Sequence, residues 1–243
     1  HYSQARQFYR SQTTYEQTHI ASALVLELSK VEHGHIREAM VGHLRHIEED
    51  LAGRVTAGLG LSTLPDVPVA AVPVLEMDPS PALQIIGKMK VTLMGRAIGI
   101  LVADGSDDAI IKKIEQAVIN AGAIATIIAP KVGGIKLADG SILDADEQLA
   151  GTPSVFFDAI AVILSEKGAA YLANESAAID FVRDAFVHLK AIAVDKGGEA
   201  LLDRANVGHE DEAGVVAASD SDAFIAAAKT RQWEREKFVR NLV

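Results

Sequence analysis

The stretch Ala97-Ile98-Gly99-Ile100-Leu101-Val102-Ala103 decides the fold: seven consecutive residues without a polar side chain. A strand wet on one face alternates apolar with polar. A central parallel strand, covered on both faces, reads as a continuous apolar run. Behind it, Ile110, Ile111, Ile114, Ala117, Val118 and Ala121 recur at helical spacing. Ala123–Ala129 reads as a second strand and Phe157–Leu164 as a third, followed by a helical pattern over Glu175–Leu189. Ala191–Asp195 makes a fourth strand, with a helix beginning near Gly198, and Val215–Ala218 a last short one. Ser219-x-x-Asp222 then opens a long charged helix through Phe238. Between the second and third strands, Gly134–Leu143 reads as a hairpin around Asp139-Gly140, a pair that suits a type I′ turn. Strands alternating with helices predict βαβ units and a doubly wound parallel α/β sheet over residues 96–243.

Upstream the pattern is helical. Thr13-x-x-Glu16 fits a capping box, in which each side chain satisfies the other residue's free backbone N–H. Ala21, Leu24, Val25 and Leu28 then mark one apolar helix face. After Gly34, a second pattern runs through Ile36, Met40, Leu44, Ile47, Leu51 and Val55 and stops at Gly58 and Gly60. Residues 1–60 are thus expected to form an α-helical hairpin, too small to bury a core alone. Leu61–Pro81 holds five of the seven prolines, which remove backbone donors and favour extended chain. Residues 61–95 are expected to be a linker, and the valines between its prolines suggest that it lies along a surface.

Composition narrows the function classes. Hydrophobic residues at 49% and charged residues at 23% are a globular balance. No apolar run approaches the roughly 20 residues of a membrane span, and no secretory signal pattern opens the chain. His1 stands where Met would begin a chain, so a processed or trimmed piece is expected. The absence of cysteine excludes disulfides, thiolate metal sites and cysteine nucleophiles, and a cytoplasmic location is expected. The net charge of −10 is uneven: residues 64–243 carry 17 Lys/Arg against 26 Asp/Glu. Such a domain repels phosphate backbones, so nucleic acid is not an expected partner.

Four features invite chemistry. The loop after the first strand, Asp104-Gly105-Ser106-Asp107-Asp108, lacks a G-x-G-x-x-G pattern, and its three acids oppose a phosphate. We read Asp107 and Asp108 as first-turn acids of a helix. The turn Asp195-Lys196-Gly197-Gly198 falls where a nucleophile elbow would sit, yet holds neither serine nor cysteine. Lys196 would need desolvation to act, and the sequence assigns it no base, so we read a structural turn. His33, His35, His43 and His46 cluster near Glu32 and Glu38, and His43 with His46 could share a helix face. A metal site needs three or four converging ligands, which the pattern does not supply. Tyr2, Phe8, Tyr9 and Tyr15 read as packing anchors.

The stretch from His1 to Ser11 (HYSQARQFYRS), with Glu27–Val31 and His35–Arg37, resembles the helical domain of monofunctional haem catalases. Arg54-Val55 and Gly58–Leu61, leading into the linker, are similar to the large-subunit group of that family. The remainder resembles the flavodoxin-like C-terminal domain of that group. The resemblance implies a parent that converts hydrogen peroxide to water and oxygen, with a catalase core and sister subunits in a homotetramer as partners. It implies haem in the parent. None of the motifs that hold it is present, so no cofactor, metal or catalytic residue is carried over to this chain. The C-terminal domain is also similar to the DJ-1/PfpI superfamily, through Lys190–Gly198. Aligned without gaps, Lys196 stands at that superfamily's cysteine, Gly197 follows it, and Ile110 replaces its supporting acid. Chaperone-like members of that superfamily imply unfolded client proteins as an alternative class of partner. A degenerate enzyme of the DJ-1/PfpI type is a second alternative.

Overall fold

Thr13 Oγ1 accepts the Glu16 N–H while Glu16 Oε2 accepts the Thr13 N–H at 2.7 Å, so the capping box forms as the sequence predicts. It starts one of four helices in the first of two compact units, which runs to Lys90; the second runs from Val91 to Val239. The computed structural model describes residues 2–240.

In the first unit, α1 (Tyr2–Ser11), α2 (Thr14–Ser29), α3 (Gly34–Arg45) and α4 (Glu49–Gly58) surround Tyr9, Ala21, Val41, Leu44, Leu51, Ala52 and Val55. The expected hairpin is therefore a four-helix arrangement. The apolar spacing from Ile36 to Val55 persists through a break at His46–Glu48, so periodicity alone reads as one helix what the backbone divides into two. The proline-rich segment lies along the helices as a strap. Arg45 Nη1 donates to Pro65 O, Arg10 Nη1 to Leu75 O, and Ser3 Oγ accepts the Val74 N–H. Ser11 Oγ accepts the Ser80 N–H, and Glu16 Oε1 accepts those of Ile85 and Ile86, both at 2.8 Å.

The second unit contains β1 (Ala97–Val102), α5 (Asp108–Asn120), β2 (Ile124–Ala129), β3 (Ile135–Lys136), β4 (Ile142–Leu143), β5 (Glu147–Gln148), β6 (Ala159–Ile163), α6 (Glu166–Leu172), α7 (Ser176–Val187), β7 (Ile192–Val194), α8 (Glu199–Arg204), β8 (Val215–Ala217), α9 (Ser221–Ala228) and α10 (Glu236–Val239). Six strands form one parallel sheet in the order β5-β2-β1-β6-β7-β8. Without the two-residue β5 at its edge the order is the flavodoxin-like 2-1-3-4-5. Ile98, Ile100 and Val102 face α5 and α9, while Leu101 and Ala103 face α6, α7 and α8, so helices cover both faces. Gly99 sits mid-strand where a Cβ would come within 2.8 Å of the Phe157 ring, which explains a glycine in a central strand.

Three expectations change. The β3–β4 hairpin exists, but of Asp139 and Gly140 only Gly140 has positive φ, at 88°. A type I′ turn needs both. Here Gly140 N–H donates to Leu137 O and Leu137 N–H to Ser141 O, closing a longer loop. The long C-terminal helix is instead α9, a break, and α10. The break exists because Gln232 donates its N–H to Leu189 O and Arg235 turns inward. Arg235 is fully buried; Nη1 donates to Phe186 O and Lys190 O and Nη2 to Ala213 O. Finally, α6 and the β5 edge were not expected, being too short for a periodic signal.

Candidate functional site: a turn held by its own carboxylate

The end of β7 leads into the turn 195–198, and the local chemistry follows from how near it passes to β6. A Cβ on Gly197 would lie 1.8 Å from Leu164 O, and one on Gly198 2.9 Å from Val162 O. Only glycines allow the approach. Asp195 then accepts the Leu164 N–H at 3.0 Å and the Gly198 N–H at 2.8 Å through Oδ1. The amide at the Gly-Gly turn, which could have met an external anion, already faces the chain's own carboxylate. Burial pushes the Asp195 carboxyl above its usual range, the two N–H groups oppose that, and Asp107 adds to it.

Lys196 departs from what a nucleophile requires. Its side chain is 92% exposed and its Nζ lies 2.6 Å from Glu199 Oε2, which raises its pKa. An amine nucleophile at neutral pH needs a depressed pKa. Neither Asp195 nor Lys196 has positive φ, so the strained backbone of a nucleophile elbow is absent from this turn. Ile110 lines the same cavity of about 460 Å³ as Asp195, Lys196, Glu199 and His209. The fold thus brings together the two replaced positions that the resemblance identified. Sequence reasoning missed His209, whose Nε2 lies 2.9 Å from Asp203 Oδ1; no spacing rule links it to the turn.

The loop after β1 is likewise internally engaged. Asp107 caps α5 by accepting the Ala109 and Ile110 N–H groups, Asp108 pairs with Lys112 Nζ at 2.7 Å, and Asp104 Oδ1 accepts the Lys136 N–H. Ser106 is fully buried and its hydroxyl lies 2.6 Å from Ile163 O, joining the ends of β1 and β6.

In the helical unit, Tyr2 Oη lies 2.6 Å from His43 Nδ1 and its ring stacks on His46 at 4.6 Å, while His46 Nε2 lies 2.8 Å from Pro68 O. These nitrogens face protein groups rather than a shared metal position. Among the described residues no group of three His, Cys, Asp or Glu could hold a metal ion. Tyr9 does not fit haem ligation. Tyr9 donates its hydroxyl to Asp50 Oδ2, and burial pushes it up to about 12, opposite to what an axial tyrosinate needs.

Fold and turn together define a class: a helical unit followed by a flavodoxin-like domain whose turn at 195–198 is held by the carboxylate of Asp195. The chain belongs to the large-subunit catalase family. The profile for the C-terminal domain found in long catalases matches residues 94–237, and that for the catalase-related immune-responsive family matches residues 1–59. The chain is 43% identical over 245 residues to Catalase C of Rhizobium meliloti (strain 1021), covering 99% of this chain and 35% of that protein. It is 35% identical over 242 residues to Catalase HPII of Pseudomonas putida, covering 97% and 33%. Against Catalase-B of Dictyostelium discoideum it is 26% identical over 249 residues, covering 100% and 36%. The chain spans about a third of the length of the curated relatives it matches.

Proposed function

We propose that these residues are the supporting part of a large-subunit catalase whose whole subunit decomposes hydrogen peroxide to water and oxygen. The observation that carries the reading is the clamp: Asp195, at the turn where related folds keep a nucleophile, gives its carboxylate to Leu164 and Gly198 instead. In this reading haem belongs to the longer subunit and supplies the redox chemistry there, and the present chain contributes no ligand to it. Its partners are the catalase core and sister subunits of a homotetramer, in the cytoplasm. The strap favours this role, because it presents Val69 and Val72 to solvent while its backbone is tied to the helices. The test is removal of residues 82–243 from the full-length subunit. The expected result is a lower melting temperature or a weaker tetramer with the Soret spectrum retained; unchanged values of both would overturn the reading.

One observation favours a second, holdase reading. Met94, Ile119 and Ile124 are all more than half exposed in the α/β unit. If they capture unfolded clients, the 243-residue chain suppresses aggregation of heated citrate synthase near equimolar ratio, and an inert result removes this alternative. The degenerate-enzyme reading is disfavoured by the exposed, carboxylate-paired Lys196.

A further inference from the structure

We propose that a second cleft, at the carboxyl ends of β1 and β2 and against α6, binds a small organic monoanion with a flat apolar body, an aromatic carboxylate by class. In open α/β sheets the crevice beyond the carboxyl ends of the strands, where strand order reverses, is the natural ligand position. Here β1 has β2 on one side and β6 on the other, and the cleft of about 340 Å³ opens beside them. That volume lies within the range of small-molecule sites, which pair apolar walls with a few convergent polar groups.

The lining meets that description. Ala103, Pro130 and Ile135 contribute an apolar floor. Lys167 and Tyr171 stand four residues apart on α6, hence on one helix face, and both line the cleft. Lys131, from the loop after β2, also lines it. Tyr171 is 52% exposed, an aromatic ring open to a stacking partner. Lys112 and Lys196 hold Asp108 and Glu199, but neither Lys131 nor Lys167 is paired with a carboxylate among the described residues. Two unpaired ammonium groups beside an apolar floor and an aromatic ring match an anionic head on a flat body.

Charge sets the limit on that head. Asp104 also lines the cleft, leaving one net positive charge among the lining side chains, and the surrounding domain is strongly acidic. A dianion such as a phosphate ester meets both repulsions, while a monoanion is matched. Two other cavities among the described residues lack this combination. In the one beside Asp195, Lys196 and His209 are already paired with Glu199 and Asp203. The one lined by His35, Glu38 and Asp66 brings no unpaired cation to an anion.

The experiment is an amide-resolved NMR titration of the 15N-labelled 243-residue chain with benzoate, benzamide and inorganic phosphate. Benzoate is expected to give saturable shifts at Lys131, Gly134, Gly168 and Tyr171 with a Kd near ~1 mM, and benzamide and phosphate to bind about tenfold more weakly or less. The double variant Lys131→Gln, Lys167→Gln should raise the benzoate Kd about tenfold with the rest of the spectrum unchanged, and Tyr171→Ala should raise it with both lysines present. No saturation by ~20 mM benzoate would overturn the proposal. So would equal binding of benzamide or phosphate, or an unchanged Kd in the double variant.

Discussion

In the helical unit Glu16 receives three backbone N–H groups, from Thr13, Ile85 and Ile86; in the α/β unit Asp195 receives two, from Leu164 and Gly198. Both carboxylates tether separate segments, yet their acidities move in opposite directions. For Glu16, burial pushes the pKa up, but the three donors together bring it below its usual value. For Asp195, burial over the packed sheet outweighs its donors and Asp107 adds repulsion, so the pKa rises. The helical unit is held by polar ties laid across a thin core, and the α/β unit by close packing that tolerates a poorly solvated charge.

The largest expected effect probes that packing. Gly197→Ala places a methyl group 1.8 Å from Leu164 O, a backbone atom that cannot swing aside. The substitution should cost about 3 kcal/mol or more in chemical denaturation. Wild-type stability would mean that the turn can shift, and the contrast between tight and tied regions would fail.

Lys190 comes next. It is buried, its Nζ donates to Ser154 O at 2.6 Å, and burial, with Arg231 adding repulsion, lowers its pKa to about 8. The unfolded chain binds this proton more tightly, so its contribution to stability rises with pH between about 8 and 10.5 and is flat below. Lys190→Met should stabilise the α/β unit at pH 7 by about 1–3 kcal/mol, since Ser154 O keeps the Phe157 N–H. It should also flatten the alkaline rise. A destabilised variant at pH 7 would show that the ammonium is better solvated than its burial implies.

Glu16 shares the sign of that pH dependence, in an acid window, but its replacement should cost stability where that of Lys190 gains it. Its pKa is lowered in the folded chain, so its stabilisation is present above the unfolded value of 4.5 and is lost as pH falls through the folded one. Glu16→Gln should cost about 1–2 kcal/mol at pH 7, and the deficit should shrink at pH 3. An equal deficit at both pH values would show that hydrogen-bond geometry, not charge, holds the strap.

What the sequence makes legible follows the same division. The strands over Ala97–Val102, Ala159–Ile163 and Ile192–Val194 are readable because burial on both faces leaves an uninterrupted apolar run, and β2 because its apolar run is broken only at Thr126. The capping box is readable because its partners are three residues apart. The second duty of Glu16, on Ile85 and Ile86, is invisible, since those residues lie 69 and 70 positions away. The turn at 195–198 is readable as lacking a nucleophile. That Asp195 fills its anion position depends on Leu164, 31 residues earlier, which no local pattern reports. The C-terminal break is hidden for the same reason, because Arg235 answers to carbonyls at Phe186, Lys190 and Ala213.

The smallest effect tests the looser side of the comparison. Gly53 lies inside α4 with positions on either side helical, and a Cβ there would meet nothing within 4 Å. A helix interior loses about 0.5–1 kcal/mol by carrying glycine in place of alanine, mainly through backbone entropy. Gly53→Ala should therefore stabilise the 243-residue chain by that amount, read as a rise in the denaturant midpoint with unchanged slope. The same substitution in the full-length subunit separates two reasons for the glycine. An equal gain there means that this helix face stays open. A gain that vanishes or reverses means that another part of the subunit comes close enough to need the missing methyl, and the tied, loosely packed unit is then completed by a neighbour.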